Sequence, residues 1–168
     1  MSVQCKLQLF KPMLLLPIDA DQSQNLKFRE NPECIPILEI YPDYYKKVGY
    51  NEPWIGYFAS ISGQEIIGAG GYKGKPKNGK IEIAYGTFKK HEGKGVGTEI
   101  CRQLVLLSLQ TDPAVRITAR TLQDGYASIG ILKKNGFECL GIIYDEEDGN
   151  VLEWELKQHN LTIGSHVP

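Results

Sequence analysis

The feature that most constrains this chain is a glycine-rich turn between a predicted strand and a predicted helix. Residues 80–88 are rich in β-branched and aromatic side chains and predict a strand. Alternating glycines follow at Gly93, Gly95 and Gly97. The chain then continues directly into apolar residues at helical spacing, Val96, Ile100, Leu104 and Leu107. This order predicts a strand–helix–strand unit whose two strands are parallel and whose crossover is right-handed.

The same turn has the chemistry of an anion site. Backbone N–H groups at the start of a helix have no partner within the helix, and the helix dipole adds partial positive charge. Glycines let a phosphate approach the backbone because no Cβ stands in the way. Lys94 adds a mobile positive charge. We therefore expect a phosphate-bearing ligand here, the alternative being a glycine-rich connection without a ligand.

Two common phosphate motifs do not fit the turn. A Walker A loop requires Ser or Thr directly after its lysine, but Gly95 follows Lys94. A Rossmann fingerprint requires a third glycine, which is absent after Gly95-Val96-Gly97. The turn also comes late in the order of elements, whereas both motifs normally follow the first strand. A nucleotide-phosphate binder of another kind remains an alternative.

The rest of the chain predicts an α+β domain with a mixed sheet. Further strands are predicted at residues 4–10, 54–61, 65–72, 115–122, 137–144 and 151–157. Helices are predicted near residues 21–30, 35–47 and 95–110, and from an N-cap at Asp124 to Asn135, with Gly136 at the C′ position.

Composition narrows the class of protein. The 168 residues are expected to form a single domain, 1–168, of which residues 158–168 read as a loose tail. With 19 basic and 20 acidic residues the net charge is -1, which argues against a nucleic-acid partner. The apolar run from Met13 to Leu16 is too short for a signal sequence or a membrane span, so we expect no membrane partner and a cytoplasmic location. We expect no metal site, and we expect free, buried or half-buried thiols at Cys5, Cys34, Cys101 and Cys139.

Two motifs resemble those of the GNAT superfamily of N-acetyltransferases. The segment from Gly93 to Glu99 resembles the loop that binds the acetyl-CoA pyrophosphate, and the segment from Ala127 to Phe137 resembles a later helix with its Gly-Phe ending. The resemblance covers residues 35–157 and is greatest to the branch of ribosomal-protein-alanine acetyltransferases. It implies a mixed, mostly antiparallel seven-stranded sheet flanked by helices, with a splayed central pair of parallel strands. It also implies acetyl transfer from acetyl-CoA directly to a primary amine of a small molecule or a protein N-terminus.

The resemblance also implies site residues. The backbone of Tyr85, Gly86 and Thr87 would pair with the pantetheine arm, and Ser128 would lie near the pantetheine or the adenine. The pyrophosphate would be held by the loop residues Gly93, Lys94, Gly95, Val96, Gly97 and Thr98. Glu82 is the candidate general base, the alternative being a solvent-facing strand residue. Tyr85 is a candidate catalytic residue, the alternative being an aromatic of the core or cleft wall.

The sequence departs from the family pattern in three respects. Glu92 replaces an Arg or Gln in the loop, which we expect to weaken the binding of the cofactor without abolishing it. Gly125 and Tyr126 stand where an Asn is often found, and Leu132 replaces a Tyr that acts as an acid in many members. Tyr85 or Tyr126 is then the candidate proton donor. Glu92 and Leu132 motivate an alternative function, a catalytically idle acyl-CoA-binding regulatory module.

The remaining expectations concern the surroundings of the site. Tyr44 or Tyr45, in the N-terminal helices, would touch the acceptor. The acidic run from Asp145 to Asp148 reads as a solvated turn, with a rim that attracts a cationic amine as the alternative. His91 is expected on an exposed loop, and Trp54 and Trp154 in the core or on a sheet face. A homodimer is left open.

Overall fold

The computed structural model describes residues 12–157, which form a mixed seven-stranded sheet with helices. The strands are β1 Met13–Pro17, β2 Gly56–Ile61, β3 Glu65–Tyr72, β4 Lys80–Thr87, β5 Arg116–Leu122, β6 Phe137–Asp145 and β7 Gly149–Leu156. The α-helices are α1 Ile35–Val48, α2 Val96–Thr111 and α3 Tyr126–Lys134, with 3₁₀ helices at Gln22–Glu30 and Lys89–His91.

The strands lie in the order β1-β2-β3-β4-β5-β7-β6. The neighbours β4 and β5 are parallel, and the other five neighbouring pairs are antiparallel. The closing hairpin places β7 between β5 and β6, so the last strand within residues 12–157 is an inner strand of the sheet. The predicted fold class, with its central parallel pair, is confirmed.

The first described strand was not predicted from the sequence. The apolar run that begins at Met13 pairs with β2, with Leu15 opposite Ala59. From the sequence, this run is predicted only to be too short for a signal sequence or a membrane span. The strand predicted at residues 4–10 and the tail at 158–168 lie outside the described residues, as does Cys5.

The two faces of the sheet carry different helices. Alternate side chains of β2 point to opposite faces, so Tyr57 lies in the large cluster that contains α2, and Phe58 lies in a smaller cluster with Leu38 of α1. Glycine permits the close approach of α2 to β3, because a Cβ on Gly70 would lie 2.8 Å from Cγ2 of Ile100. We call these the α2 face and the α1 face of the sheet.

The predicted C-terminal boundary of α3 is correct, but the predicted N-cap residue is wrong. Gly136 has a φ of +83°, the left-handed conformation expected of a C′ glycine. At the start, Gly125 occupies the N-cap position and no side chain caps the helix, so the prediction that Asp124 is the N-cap is wrong. Asp124 contributes its backbone instead, since its carbonyl oxygen accepts a hydrogen bond from the N–H of Tyr126 at 2.9 Å.

Other sequence predictions can be compared with the structure. Cys34 and Cys101 are free and buried as expected, whereas Cys139 is free but exposed because it lies on the edge strand β6. Trp154 is buried and Trp54 packs partly buried against the main core, as predicted. Among residues 12–157, no helix has both the length and the apolar character required to cross a membrane.

Candidate active site

The parallel strands β4 and β5 separate halfway along their length. Their register runs from Lys80 opposite Arg116 to Ile83 opposite Ala119, and β4 continues beyond it paired with β3 on its other side alone. The β5-facing backbone groups of residues 84–87 are therefore free of the sheet's own hydrogen-bond ladder. Such an opening suits a ligand with amide groups, because these can pair with a strand as another strand would.

A cavity of about 720 Å³ lies between this opening and the start of α2, and we call it the cofactor-side cavity. Its lining includes every candidate cofactor-binding residue except Lys94, namely Tyr85, Gly86, Thr87, Gly93, Gly95, Val96, Gly97, Thr98 and Ser128. Lys94 lies on the same loop, exposed and outside the lining. The cavity also includes Lys134 and Ile131, which were not singled out in the sequence although both fall within the second motif.

The three glycines of the loop have two different roles. Gly93 and Gly95 have φ values of +72° and +77°, and a Cβ built on either would meet nothing within 4 Å. Both positions therefore leave open space beside the loop. A Cβ on Gly97 would lie 2.7 Å from Cδ1 of Ile131 and 3.2 Å from Oγ1 of Thr87, so Gly97 is required for close packing against α3 and β4.

The start of α2 has the properties of an anion site. Gly95 is its N-cap residue and no side chain caps the helix. The first helical hydrogen bond runs from the N–H of Glu99 to the oxygen of Gly95 at 3.1 Å, which leaves the N–H groups of Val96, Gly97 and Thr98 free to bind a ligand. Two charges of opposite sign, Glu92 and Lys134, also line this cavity.

Helix α3 is tied to this loop by one side chain. The Asn135 amide nitrogen donates to the backbone oxygen of Thr98 at 3.2 Å and to that of Ile131 at 3.0 Å. These bonds connect the end of α3 to the first turn of α2. They hold the wall that carries Ser128 against the glycine loop.

Tyr85 lies where two cavities meet. It lines the cofactor-side cavity and also a cleft on the other side of β4. Its ring is half-buried and packs against the main core. Burial, and secondarily the neighbouring Cys101, raises the pKa of its hydroxyl well above the usual value of 10.0, so the phenol stays protonated at neutral pH.

Glu82 lies among charged groups from β5, β6 and the connection between β3 and β4. Its side chain is 18% exposed, with Lys73 Nζ 3.2 Å from one carboxylate oxygen and Arg120 Nε 3.3 Å from the other. Arg120 also donates to Asp145 at 2.6 Å, and this hydrogen bond is the largest of the causes that lower the pKa of Asp145 to about 2. Glu82 is therefore a half-buried, ion-paired residue that borders a pocket. Since side chains alternate along a strand, Glu82 and Tyr85 point to opposite faces of β4.

Two further cavities lie on the α1 face beside Glu82. The apolar cleft, of about 520 Å³, lies between α1 and the strands β3 and β4. The polar pocket, of about 450 Å³, contains Glu82, Arg120 and the acidic residues Asp145, Glu146 and Glu147. Tyr44 and Lys73 line both cavities, so the two are adjacent. Three of the four residues of the acidic run thus form part of a pocket wall, so the run is not only a solvated turn.

The sequence model of the acetyltransferase (GNAT) domain matches residues 17–138, which is most of the chain. The chain belongs to the GNAT acetyltransferase family. A curated relative, the uncharacterized N-acetyltransferase YjdG of Bacillus subtilis (strain 168), is 40% identical over 74 residues. That match spans 44% of this chain and 44% of the relative, so it covers less than half the length of either protein.

Solved GNAT structures share the fold of this domain. A GnaT-family acetyltransferase from Bordetella pertussis superposes with a TM-score of 0.64 at 14% identity, over 86% of this chain and 95% of that one. The aminoglycoside acetyltransferase AAC(6')-Ib, solved in complex with coenzyme A and kanamycin, gives 0.65 at 20% identity, over 88% and 95%. A spermidine N-acetyltransferase SpeG chimera from Vibrio cholerae and hSSAT gives 0.63 at 14%, over 87% and 95%. At these identities the likeness is one of fold.

Three other residues of this GNAT domain lie away from the roles considered for them. Leu132 is fully buried in the core, so the position where many members carry an acidic Tyr contributes packing here. Tyr126 is 78% exposed and lies outside the lining of the cofactor-side cavity. Tyr45 is buried, where its hydroxyl donates to the Ile18 oxygen at 2.7 Å and accepts from the Gly56 N–H at 3.0 Å, so Tyr44 is the tyrosine of this pair that faces the cavities.

The prediction that His91 lies on an exposed loop is wrong. His91 is 9% exposed, and its Nε2 lies 3.3 Å from Oε1 of Glu65 on β3. The reason is that the chain makes a 3₁₀ turn immediately after β4, and this turn folds back over the beginning of β3. Local sequence pattern did not indicate this contact.

Proposed function

We propose that this protein is an acetyl-CoA-dependent N-acetyltransferase that moves an acetyl group directly to a primary amine of a small molecule or protein N-terminus. The observation that carries the proposal is the arrangement around the end of β4. An uncapped helix start with its glycine loop lies on the α2 face, and a half-buried carboxylate with its pocket lies on the α1 face. The opening between β4 and β5 separates the two.

The cofactor would extend from the glycine loop to this opening. The N–H groups of Val96, Gly97 and Thr98 would bind the pyrophosphate, and Lys94 and Lys134 would add positive charge. The free backbone edge of Tyr85, Gly86 and Thr87 would pair with the amides of the pantetheine arm, with Ser128 on the facing wall. The thioester would then lie at the opening, within reach of the α1 face.

The reaction needs one base and one proton donor. A bound ammonium first loses a proton, and Glu82, directly or through a water molecule, is the proposed acceptor. The free amine attacks the thioester carbonyl carbon, the new C–N bond forms, and the C–S bond breaks as the nitrogen loses its second proton. Backbone N–H groups at the opening would stabilise the oxyanion of the intermediate. The products are the acetamide, free CoA thiol and one proton released to solvent.

Tyr85 is the proposed donor to the departing sulfur. Its hydroxyl is kept protonated by burial, and it lies on the opposite face of β4 from Glu82. Glu82 would accept a proton from the amine on one side of the thioester, and Tyr85 would donate a proton to the sulfur on the other side. Tyr85 would thus take the role of the acid, because Leu132 stands where many family members carry a Tyr for it.

The comparisons support the choice of reaction but leave the acceptor open. The relative from Bacillus subtilis is named an N-acetyltransferase, and the two enzymes named for their substrates act on aminoglycosides and spermidine, both of which are amines. Motif likeness supports placing this chain near the ribosomal-protein-alanine acetyltransferases. A cytoplasmic location stays a prediction, and a homodimer stays open.

The test is the release of free CoA thiol from acetyl-CoA with a panel of primary amines. We expect turnover with at least one amine and loss of turnover in Glu82→Gln. Acetyl-CoA binding without turnover of any amine would favour the idle acyl-CoA-binding module. Tighter binding of ATP than of CoA would favour the nucleotide-phosphate binder, and an absence of acetyl-CoA binding would overturn the proposal.

A further inference from the structure

The apolar cleft beside the thioester position is shaped for a hydrophobic group. Small residues of β3 and β4, among them Ala69, Ala84 and Gly86, form its floor, and Ile37 and Ile40 of α1 form its wall. A Cβ on Gly86 would meet nothing within 4 Å, so the cleft stays open along the end of β4. Its volume of about 520 Å³ is ample, because a cavity of about 150 Å³ already holds a benzene ring.

Within the described residues, this wall is left partly uncovered. Ile40 is 64% exposed although it lines the cleft. An isoleucine at the mouth of an apolar cleft gains free energy when a ligand covers it, because apolar area is then removed from water. Leu26 is exposed to a similar extent, 62%, but lies on the 3₁₀ helix outside the cleft, and so provides a matched control.

The adjoining polar pocket does not suit a polycation. Its four carboxylates, Glu82, Asp145, Glu146 and Glu147, share the pocket with three cations, Lys47, Lys73 and Arg120. Two of those carboxylates are already in ion pairs with Lys73 and Arg120. With four carboxylates and three cations, this lining has a net charge of about -1. One ammonium group would balance that charge, whereas a ligand with several ammonium groups would leave an excess of positive charge beside the cations, which is unfavourable.

The two cavities meet at Tyr44 and Lys73. An amine whose nitrogen lies near Glu82 therefore has its substituent directed toward either the apolar cleft or solvent. We infer that the acceptor is a primary amine with a single positive charge and an apolar substituent, and that this substituent lies in the apolar cleft. The inference rests on the proposed acetyl transfer and narrows its acceptor. A free aralkylamine and a peptide with an apolar first residue share this chemistry.

The first experiment compares acceptors in the thiol-release assay at fixed acetyl-CoA. The panel contains phenethylamine, ethanolamine, spermidine, kanamycin and a peptide that begins with Phe-Ala. We expect kcat/KM for phenethylamine or for the peptide to exceed that for ethanolamine, spermidine and kanamycin by about tenfold or more, the gain from covering one large apolar side chain. A higher kcat/KM for phenethylamine would identify a free aralkylamine as the acceptor, and a higher kcat/KM for the peptide would identify a peptide with an apolar first residue.

The second experiment tests the cleft itself. Ile40→Gln should raise KM for the preferred acceptor about tenfold with little change in kcat, because it removes binding that is equal in the ground state and the transition state. In Ile40→Leu, which keeps an apolar side chain, and in Leu26→Gln, KM should stay near the wild-type value. Thermal shift with acetyl-CoA shows that each variant is folded and binds the cofactor.

Different outcomes distinguish a failure of the proposed acetyl transfer from a failure of the inferred acceptor. If no amine is acetylated, the proposed function itself fails. If spermidine or kanamycin is the best acceptor, or if Ile40→Gln alters no acceptor's KM, acetyl transfer stands and this inference is overturned. A preference for hexanoyl-CoA over acetyl-CoA that Ile40→Gln abolishes would place the acyl chain in the cleft, which also overturns it.

Discussion

At the scale of single residues, the surroundings of Glu82 distinguish it from the other ion-paired carboxylates of the sheet. Glu155 on β7 is also shielded, at 15% exposed, and receives two hydrogen bonds from Arg116 at 2.6 and 2.8 Å. Glu155 lies outside the three cavities described above, whereas Glu82 borders the polar pocket. Glu155 therefore holds β5 and β7 together, whereas Glu82 faces a cavity.

Removal of the Glu82 carboxylate should be selective for catalysis. In Glu82→Gln we expect kcat to fall by about 10²- to 10⁴-fold, the usual contribution of a general base, with acetyl-CoA binding unchanged. Steady-state thiol release and a cofactor thermal shift measure the two quantities. Glu155→Gln serves as the control, with an unchanged kcat. Equal losses in both variants would mean that Glu82 acts only through the stability of the sheet.

Glu92 lies in the cofactor-side cavity, where a diphosphate would carry negative charge. In Glu92→Gln we expect acetyl-CoA to bind about two- to fivefold more tightly at low salt, since a charge near a helix N-terminus contributes about 0.3–1 kcal/mol. Titration calorimetry at two salt concentrations measures this, and the gain should shrink at the higher one. Glu39→Gln, on the exposed side of α1, is the control. Weaker binding in Glu92→Gln would show that this carboxylate supports the loop.

At the scale of elements, the loop between β4 and α2 combines two kinds of glycine. Gly95 is required by its backbone conformation, and Gly97 by the packing of α2 against α3 and β4. Gly130 is different again. It lies in α3 without a positive φ, and a Cβ there would meet nothing within 4 Å. These positions allow a matched comparison of glycine-to-alanine changes.

Alanine should have opposite effects at Gly95 and Gly130. Gly95→Ala should cost about 1–2 kcal/mol of unfolding free energy because its φ is +77°. It should also weaken acetyl-CoA binding about tenfold or more, the loss of one hydrogen bond to a charged phosphate. Gly130→Ala should raise the unfolding free energy by up to about 1 kcal/mol, because alanine favours helix. Urea titrations and calorimetry test both, and a neutral Gly95→Ala would contradict the anion-loop assignment.

The β6–β7 turn is joined to β5 through Asp145, whose pKa is lowered from 3.8 to about 2 by Arg120 and by the N–H groups of Glu147 and Asp148. A lowered pKa stabilises the folded state above the unfolded value and loses this contribution as the pH falls toward the folded value. Asp145→Asn should therefore have a lower urea midpoint than wild type at pH 6. The difference should shrink between about pH 4 and pH 2. Asp43→Asn, in an exposed pair with Lys46, is the control, and a pH-independent difference would contradict the assignment.

At the scale of the whole molecule, the separation of β4 from β5 turns the sheet into a partition between two binding regions. The glycine loop and α3 surround the cofactor-side cavity on the α2 face, while α1 and the β6–β7 turn surround the other two cavities on the α1 face. A cofactor bound at the opening would contact both halves of the sheet, so its binding should stabilise the fold.

Acetyl-CoA should raise the melting temperature of the protein. At about 100 times its Kd a ligand adds about 2.7 kcal/mol, which for a chain of this size corresponds to about 5–10 °C. Differential scanning fluorimetry measures the shift. ATP at the same concentration should give a smaller one, because it lacks the pantetheine arm that would pair with β4. No shift with acetyl-CoA would contradict the assignment of the cavity.

Much of the domain was predictable because local patterns carry it. Alternation and helical spacing located β3, β4, α2 and the glycine loop within a few residues, and the two motifs indicated the family. Three features were not predictable in this way. The burial of His91, the packing role of Gly97 and the strand at Met13–Pro17 depend on which distant segment lies opposite.

The sequence by itself determined the order of the strands and α-helices from α1 onward, and it predicted an anion-binding loop and Glu82 as a candidate base. Only the tertiary structure decided that Glu82 lies between Lys73 of the β3–β4 connection and Arg120 of β5. It also decided that Tyr85 faces the opposite side of β4, and that an apolar cleft adjoins the polar pocket. The physical reason is that periodicity and turn chemistry act between near neighbours in the chain, whereas strand pairing and the separation of β4 from β5 arise from packing between distant segments.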